Sequence, residues 1–79
     1  MLSACILIRS SHGKYKEVVE RIRRFNGVQR IFPVIGRYDV VVDLEAETHE
    51  YIGNTVLKMG RIAGVVFTET LIEIQHEES

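Results

Sequence analysis

The sequence predicts an α+β, ferredoxin-like βαββαβ sandwich: a four-stranded antiparallel sheet with two helices on one face. Three observations predict it. Two stretches of helix-period apolar spacing are each followed by a Gly-Val pair, Gly27-Val28 and Gly64-Val65, that opens an apolar run. The chain therefore reads as two βαβ units in tandem. Pro33 lies inside the second strand, and because proline cannot donate to a ladder, that strand belongs at a sheet edge. The densest apolar runs are the first and third strands, which are the central strands of this plan.

The first strand spans residues 2–8. Leu2, Ala4, Ile6 and Ile8 share one face, while Cys5 and Leu7 make the other face apolar too. A central strand buried on both sides has this composition. Ser10 and Ser11 follow, either of which is a suitable helix N-cap. The first helix spans residues 13–25, with Tyr15, Val18, Val19, Ile22 and Phe25 as its apolar stripe. Arg21, Arg23 and Arg24 suit the negative end of the helix dipole. Asn26-Gly27 ends this helix through a left-handed glycine.

The second strand spans residues 28–35, residues 36–39 form a hairpin loop, and the third strand spans residues 40–44. Asp43 interrupts that third run and is expected to meet solvent or a partner's cation. Thr48 is the expected N-cap of the second helix, with Glu50 in its first turn. Tyr51 or Ile52, then Thr55, Val56 and Met59, form its buried stripe, and Gly60 ends it. The last strand spans residues 65–74. Residues 1–75 make one domain on this reading, and His76 to Ser79 a polar tail.

Seventy-nine residues bury a modest core, so a chain of this size gains from partners. Cys5 is the only cysteine, which excludes an internal disulfide, and His12, His49 and His76 have no metal-ligand spacing. The glycines form neither GxGxxG nor a P-loop, so no cofactor is expected. A net charge of −1 gives no electrostatic case for nucleic acid. No apolar run spans a bilayer and no signal-peptide layout is present, so the expectation is a cytoplasmic protein without membrane contact. Two helices cover only one face of a four-stranded sheet. The other apolar face is expected to pack on an identical chain about a two-fold axis.

Gly36, Arg37, Tyr38 and Asp39 crowd a cation, a hydroxylated ring and an anion onto one short reversal. The residues alone leave two readings open: an ordinary polar turn, or a site for a small zwitterion. In the second, aspartate takes the ammonium and loop N–H groups take the carboxylate. No nucleophile beside a base and no paired carboxylates stand out, so no catalytic residue is assigned.

The run Gly36-x-Tyr38-Asp39 heading an apolar strand, then a helix, then Gly64-Val65 and the spaced Thr68 and Thr70, resembles the effector-binding (RAM) domain of Lrp/AsnC transcription regulators. The resemblance covers residues 2–75. It implies an amino-acid sensor whose members dimerise through their sheets and close into rings of four or five dimers. It places a free amino acid at dimer–dimer contacts near Gly36, Tyr38 and Asp39, with Ala63 of a neighbouring chain lining the pocket. Asp39 would hold the ammonium or orient the loop. Arg37 fills the variable position of the motif, either selecting an acidic ligand or facing water. Thr68 and Thr70 match the family's last strand, and threonines are also good strand formers. Regulators of this family carry a helix-turn-helix domain, and this chain begins at the first strand. The expectation is a stand-alone module that does not itself bind DNA and acts with full-length regulators.

Two alternatives share the topology. One is a small dimeric α+β barrel enzyme of the cofactor-free oxygenase type, using His12, Tyr15 and Tyr38. The other is an ACT-like regulatory module with its ligand near residues 9–13.

Overall fold

The computed structural model describes residues 1–74. Its elements are β1 (Leu2–Ser10), α1 (Tyr15–Ile22), β2 (Val28–Pro33), β3 (Val40–Ala46), α2 (His49–Gly60) and β4 (Val65–Ile72). All strands join one antiparallel sheet in the order β2-β3-β1-β4. β1 and β3 are interior. Pro33 sits on the edge strand β2, where a missing N–H leaves no interior ladder incomplete. The polar tail from His76 and the domain end at Gln75 lie outside the described residues.

The pleat decides which side chains are covered. Ala4, Ile6 and Ile8 of β1 and Val40, Val42, Leu44 and Ala46 of β3 are buried against Val18, Val19 and Ile22 of α1 and Ile52 and Met59 of α2. Each large aliphatic side chain buried in this layer contributes roughly 1.5–3 kcal/mol. The opposite face carries Cys5, Leu7, Phe32 and Val41, all half-buried, flanked by Phe67 and Leu71. No helix among the described residues packs over it.

Several local expectations are corrected. Neither Ser10 nor Ser11 caps α1: the N-cap position is Lys14, and no side chain bonds the helix start. Ser11 is engaged elsewhere. Its N–H donates to Gly64 O at 2.7 Å and its hydroxyl to the same oxygen at 3.2 Å, stitching the β1–α1 turn to the start of β4. α1 is shorter than its apolar stripe, and Tyr15 at its start is 38% exposed rather than buried. β1 and β3 run further than their apolar runs because ladder bonds, not hydrophobicity, set their ends at Ser10 and Ala46. β2 and β4 stop earlier, at Pro33 and Ile72. Asp43 does reach solvent, its side chain 40% exposed, and the cation it meets is Arg30 of its own chain, at 3.8 Å across the β2–β3 pair. Thr48 does cap α2, accepting from Tyr51 N–H at 3.0 Å. Ile52, Thr55 and Met59 are the buried stripe of α2, with Val56 half-buried.

Gly27 shows why a glycine precedes β2. Its φ is +98°, and a Cβ there would collide with the Glu45 carbonyl oxygen. The close approach lets Glu45 N–H donate to Gly27 O at 2.8 Å.

Candidate functional site at the hairpin end of the sheet

The hairpin is closed by a bond from Val34 N–H to Asp39 O at 2.9 Å, one step beyond the Pro33–Val40 pair. Gly36 turns the chain at φ +144°, a region that side chains rarely adopt. Asp39 then rejoins the sheet, its N–H donating to Ile8 O at 2.8 Å.

The register between β1 and β4 shifts at Arg9/Ser10, and there the Ser10 N–H donates to Asp39 Oδ2 at 2.8 Å. A carboxylate thus holds a backbone donor at the irregular step of the ladder. This is a charge-assisted, half-buried bond of the stronger kind. Arg9 also reaches the loop, its Nε and Nη2 donating to Arg37 O at 3.2 and 2.9 Å. The Tyr38 hydroxyl crosses β1 to donate to Glu69 Oε1 on β4. That hydrogen bond to Glu69, aided by burial and the Glu69 charge, raises the Tyr38 phenol above its ordinary pKa, against the opposing pull of Arg37 and Arg9. Three consecutive loop residues are therefore pinned to the first and last strands.

The loop separates two hollows. One, of about 630 Å³, is lined by Tyr15, Pro33, Val34, Ile35 and Asp39. Its walls are mostly apolar, and Asp39 carries the one carboxylate among its lining residues. The other, of about 380 Å³, is lined by Arg9, Arg37, Tyr38, Phe67 and Glu69 on the open face of the sheet. An ammonium suits the first and an anion the second.

The structure thus brings Arg37, Tyr38 and Asp39 together around Gly36. Ala63 is exposed in the α2–β4 turn, at the same end of the sheet but outside both hollows. Thr68 and Thr70 stand opposite Ile8 and Ile6, hence on the helix-covered side and away from the Tyr38 hydroxyl. Phe67 and Glu69 escaped the reading of the sequence, and Arg9 entered it only as the first residue of the 9–13 loop of the ACT-like alternative. Arg9 extends the Cys5–Leu7 alternation, and Glu69 lies between the two threonines, so strand parity was the available signal. The missing piece was the register that sets Arg9 opposite Phe67 and Leu7 opposite Glu69. His12 is exposed in the turn before α1, and Tyr15 and Tyr38 line different hollows. Among the described residues no His, Cys, Asp and Glu cluster is placed to hold a metal ion. No helix among the described residues is long and apolar enough to cross a membrane.

The chain resembles known proteins along its length. A sequence profile of the Lrp/AsnC ligand binding domain matches residues 3–77. The HTH-type transcriptional regulator FL11 of Pyrococcus furiosus is 32% identical over 77 residues, which are 96% of this chain and 51% of that protein. The chain thus spans about half the length of the curated relatives it matches. Among solved structures, TTHA0845 from Thermus thermophilus superposes with a TM-score of 0.92 at 26% identity, over 100% of both chains. FFRP-DM1 does so with a TM-score of 0.89 at 29% identity, over 94% of this chain and 100% of that one. AsnC of E. coli shares the fold, with a TM-score of 0.87 at 18% identity over 99% of this chain and 54% of that one. With a profile matched from the first strand to beyond the last, the chain belongs to the Lrp/AsnC ligand binding domain family of transcription regulators.

Proposed function

We propose that this chain is an effector-sensing module: it binds a free amino acid at the β2–β3 hairpin and passes occupancy on through assembly with other chains. The observation that carries this reading is the state of Asp39. One carboxylate oxygen is fixed by Ser10 N–H at 2.8 Å, so the group is held in place while its other oxygen remains for a ligand ammonium. Asp39 thus orients the loop and serves as the anionic contact, and the N–H groups around Gly36 supply donors for the ligand carboxylate. The site as a whole comprises Gly36, Arg37, Tyr38 and Asp39. Ala63 joins it from a neighbouring chain, whereas Thr68 and Thr70 serve β4 as strand formers and not as ligand contacts.

The open sheet face is the dimer surface in this proposal. Cys5, Leu7 and Val41 form its apolar middle, and a second copy related by a two-fold axis covers that middle while leaving the charged rim beside the hairpin accessible. Dimers then assemble further, as rings of four or five, with the amino acid at contacts between dimers. The module works in the cytoplasm together with Lrp/AsnC-type transcription regulators. It performs no catalysis and needs no cofactor.

A thermal-shift screen against the twenty amino acids tests the reading. A ligand at about 100 times its dissociation constant adds roughly 2.7 kcal/mol, which is several degrees in a domain of this size. A selective shift is expected with one or a few amino acids. Asp39→Asn, which keeps an oxygen to accept from Ser10, should abolish it. No shift with any amino acid would overturn the reading.

A further inference from the structure

Recognition of an ammonium and a carboxylate, which all amino acids share, leaves the second hollow without a role. That hollow brings two guanidinium groups, Arg9 and Arg37, beside a single carboxylate, Glu69. Glu69 is already engaged by the Tyr38 hydroxyl. The ion pairs among the described residues are Lys14–Glu17, Arg23–Glu20 and Arg30–Asp43, so neither Arg9 nor Arg37 has a carboxylate of those residues within ion-pair distance. Arg9 is also held in one orientation, because two of its nitrogens donate to the Arg37 carbonyl. A fixed guanidinium has lost its rotamer freedom before any ligand arrives, so less entropy is lost on binding. Phe67, 55% exposed in the same hollow, offers an apolar surface for methylene groups beside the charged end.

We propose that the hollow between Arg9 and Arg37 is a subsite for a small carboxylate anion. Arg9 is its fixed half and Arg37 its adjustable half. Glu69 opposes the anion. Its bond to Tyr38 anchors it, and the two cations still leave the hollow with an excess of positive charge. Two sources present the required chemistry: the side-chain carboxylate of an acidic amino acid, or a free dicarboxylate. The first rests on the effector reading above, whereas the anion subsite itself does not.

Isothermal titration of the whole chain with L-glutamate, glutarate and L-glutamine separates these possibilities. Glutamate is expected to bind at least about tenfold more tightly than glutamine, the difference that one charge-assisted hydrogen bond supports. Arg37→Gln keeps the carbonyl that Arg9 grips, and it should bring the two ligands to within about twofold of each other. Arg9→Gln should do the same. Glutarate binding as tightly as glutamate would leave the anion subsite standing and overturn ammonium recognition at Asp39. Glutamine binding as tightly as glutamate would overturn the subsite while leaving the effector reading intact. A glutamate preference that survives both arginine substitutions would overturn the subsite, as would a failure of all three ligands to bind.

Discussion

The two faces of β1 differ in what closes over them. Ala4, Ile6 and Ile8 are 5%, 0% and 0% exposed beneath the helices, whereas Cys5 and Leu7 on the other side are only half-buried. The charges differ as well. Arg9, Arg30, Glu45, Glu69 and Glu73 rim the open face, with Asp43 beside Cys5 inside that rim, and the covered face holds none of them. An apolar centre ringed by charge is the anatomy of an interface, while an uncharged layer is that of a core. The covered face makes the fold. The open face, by contrast, is the one that the proposed function gives to partners, where a polar rim would discriminate among them.

Experiments that sharpen the contrast begin with the covered face. Ile6→Ala should destabilise the chain by about 2–5 kcal/mol in urea unfolding, with the oligomeric mass unchanged. Asp39→Ala, at the hairpin, removes the acceptor for a backbone donor and should cost about 1–3 kcal/mol. Asp39→Asn should recover most of that loss. Leu7→Asp, on the open face, should lower the sedimentation mass towards that of one chain while costing the fold less than about 1 kcal/mol. An unchanged mass would show that this face is not the contact between copies.

Two smaller effects follow from titration. The phenol of Tyr38 is held above its ordinary value chiefly by its bond to Glu69. Its contribution to stability is therefore fully present below the unfolded pKa near 10, and it is lost as pH rises through the higher folded value. Tyr38→Phe should remove that part of the alkaline unfolding curve and lower stability at neutral pH by the same small contribution, since that is where the bond to Glu69 is fully made. Smallest of all, burial and then the nearby Asp43 charge raise the Cys5 thiol. Cys5 should react slowly with thiol reagents near neutral pH, and Asp43→Asn should quicken it modestly.

Much of this contrast was legible in the sequence. Apolar residues at both parities of the first strand announced an interior strand, and Pro33 announced an edge. Thr48 declared its helix start because an N-cap is a local device, satisfied within three residues. Ser11 misled because its hydroxyl and N–H meet Gly64 O, a partner supplied by tertiary structure rather than by the helix it precedes. The hairpin loop was identifiable from its own four residues. The companions Arg9, Phe67 and Glu69 were not, because they come from strands at opposite ends of the chain. Only the β1–β4 pairing places them under the loop, and no short-range pattern encodes a pairing between such distant segments.

That pairing bears on how the chain is made. β1 precedes both strands that flank it, β3 and β4. During synthesis, the segment with apolar side chains on both faces and unpaired edges on both sides must wait for its neighbours to emerge. Long-range pairing of this kind slows folding and leaves an aggregation-prone strand exposed. Nascent chains that stop before β3 hold β1 with no strand partner and are the species that chaperones would recognise. The central position that makes β1 the most protected strand of the finished sheet makes it the most vulnerable one until β4 is complete.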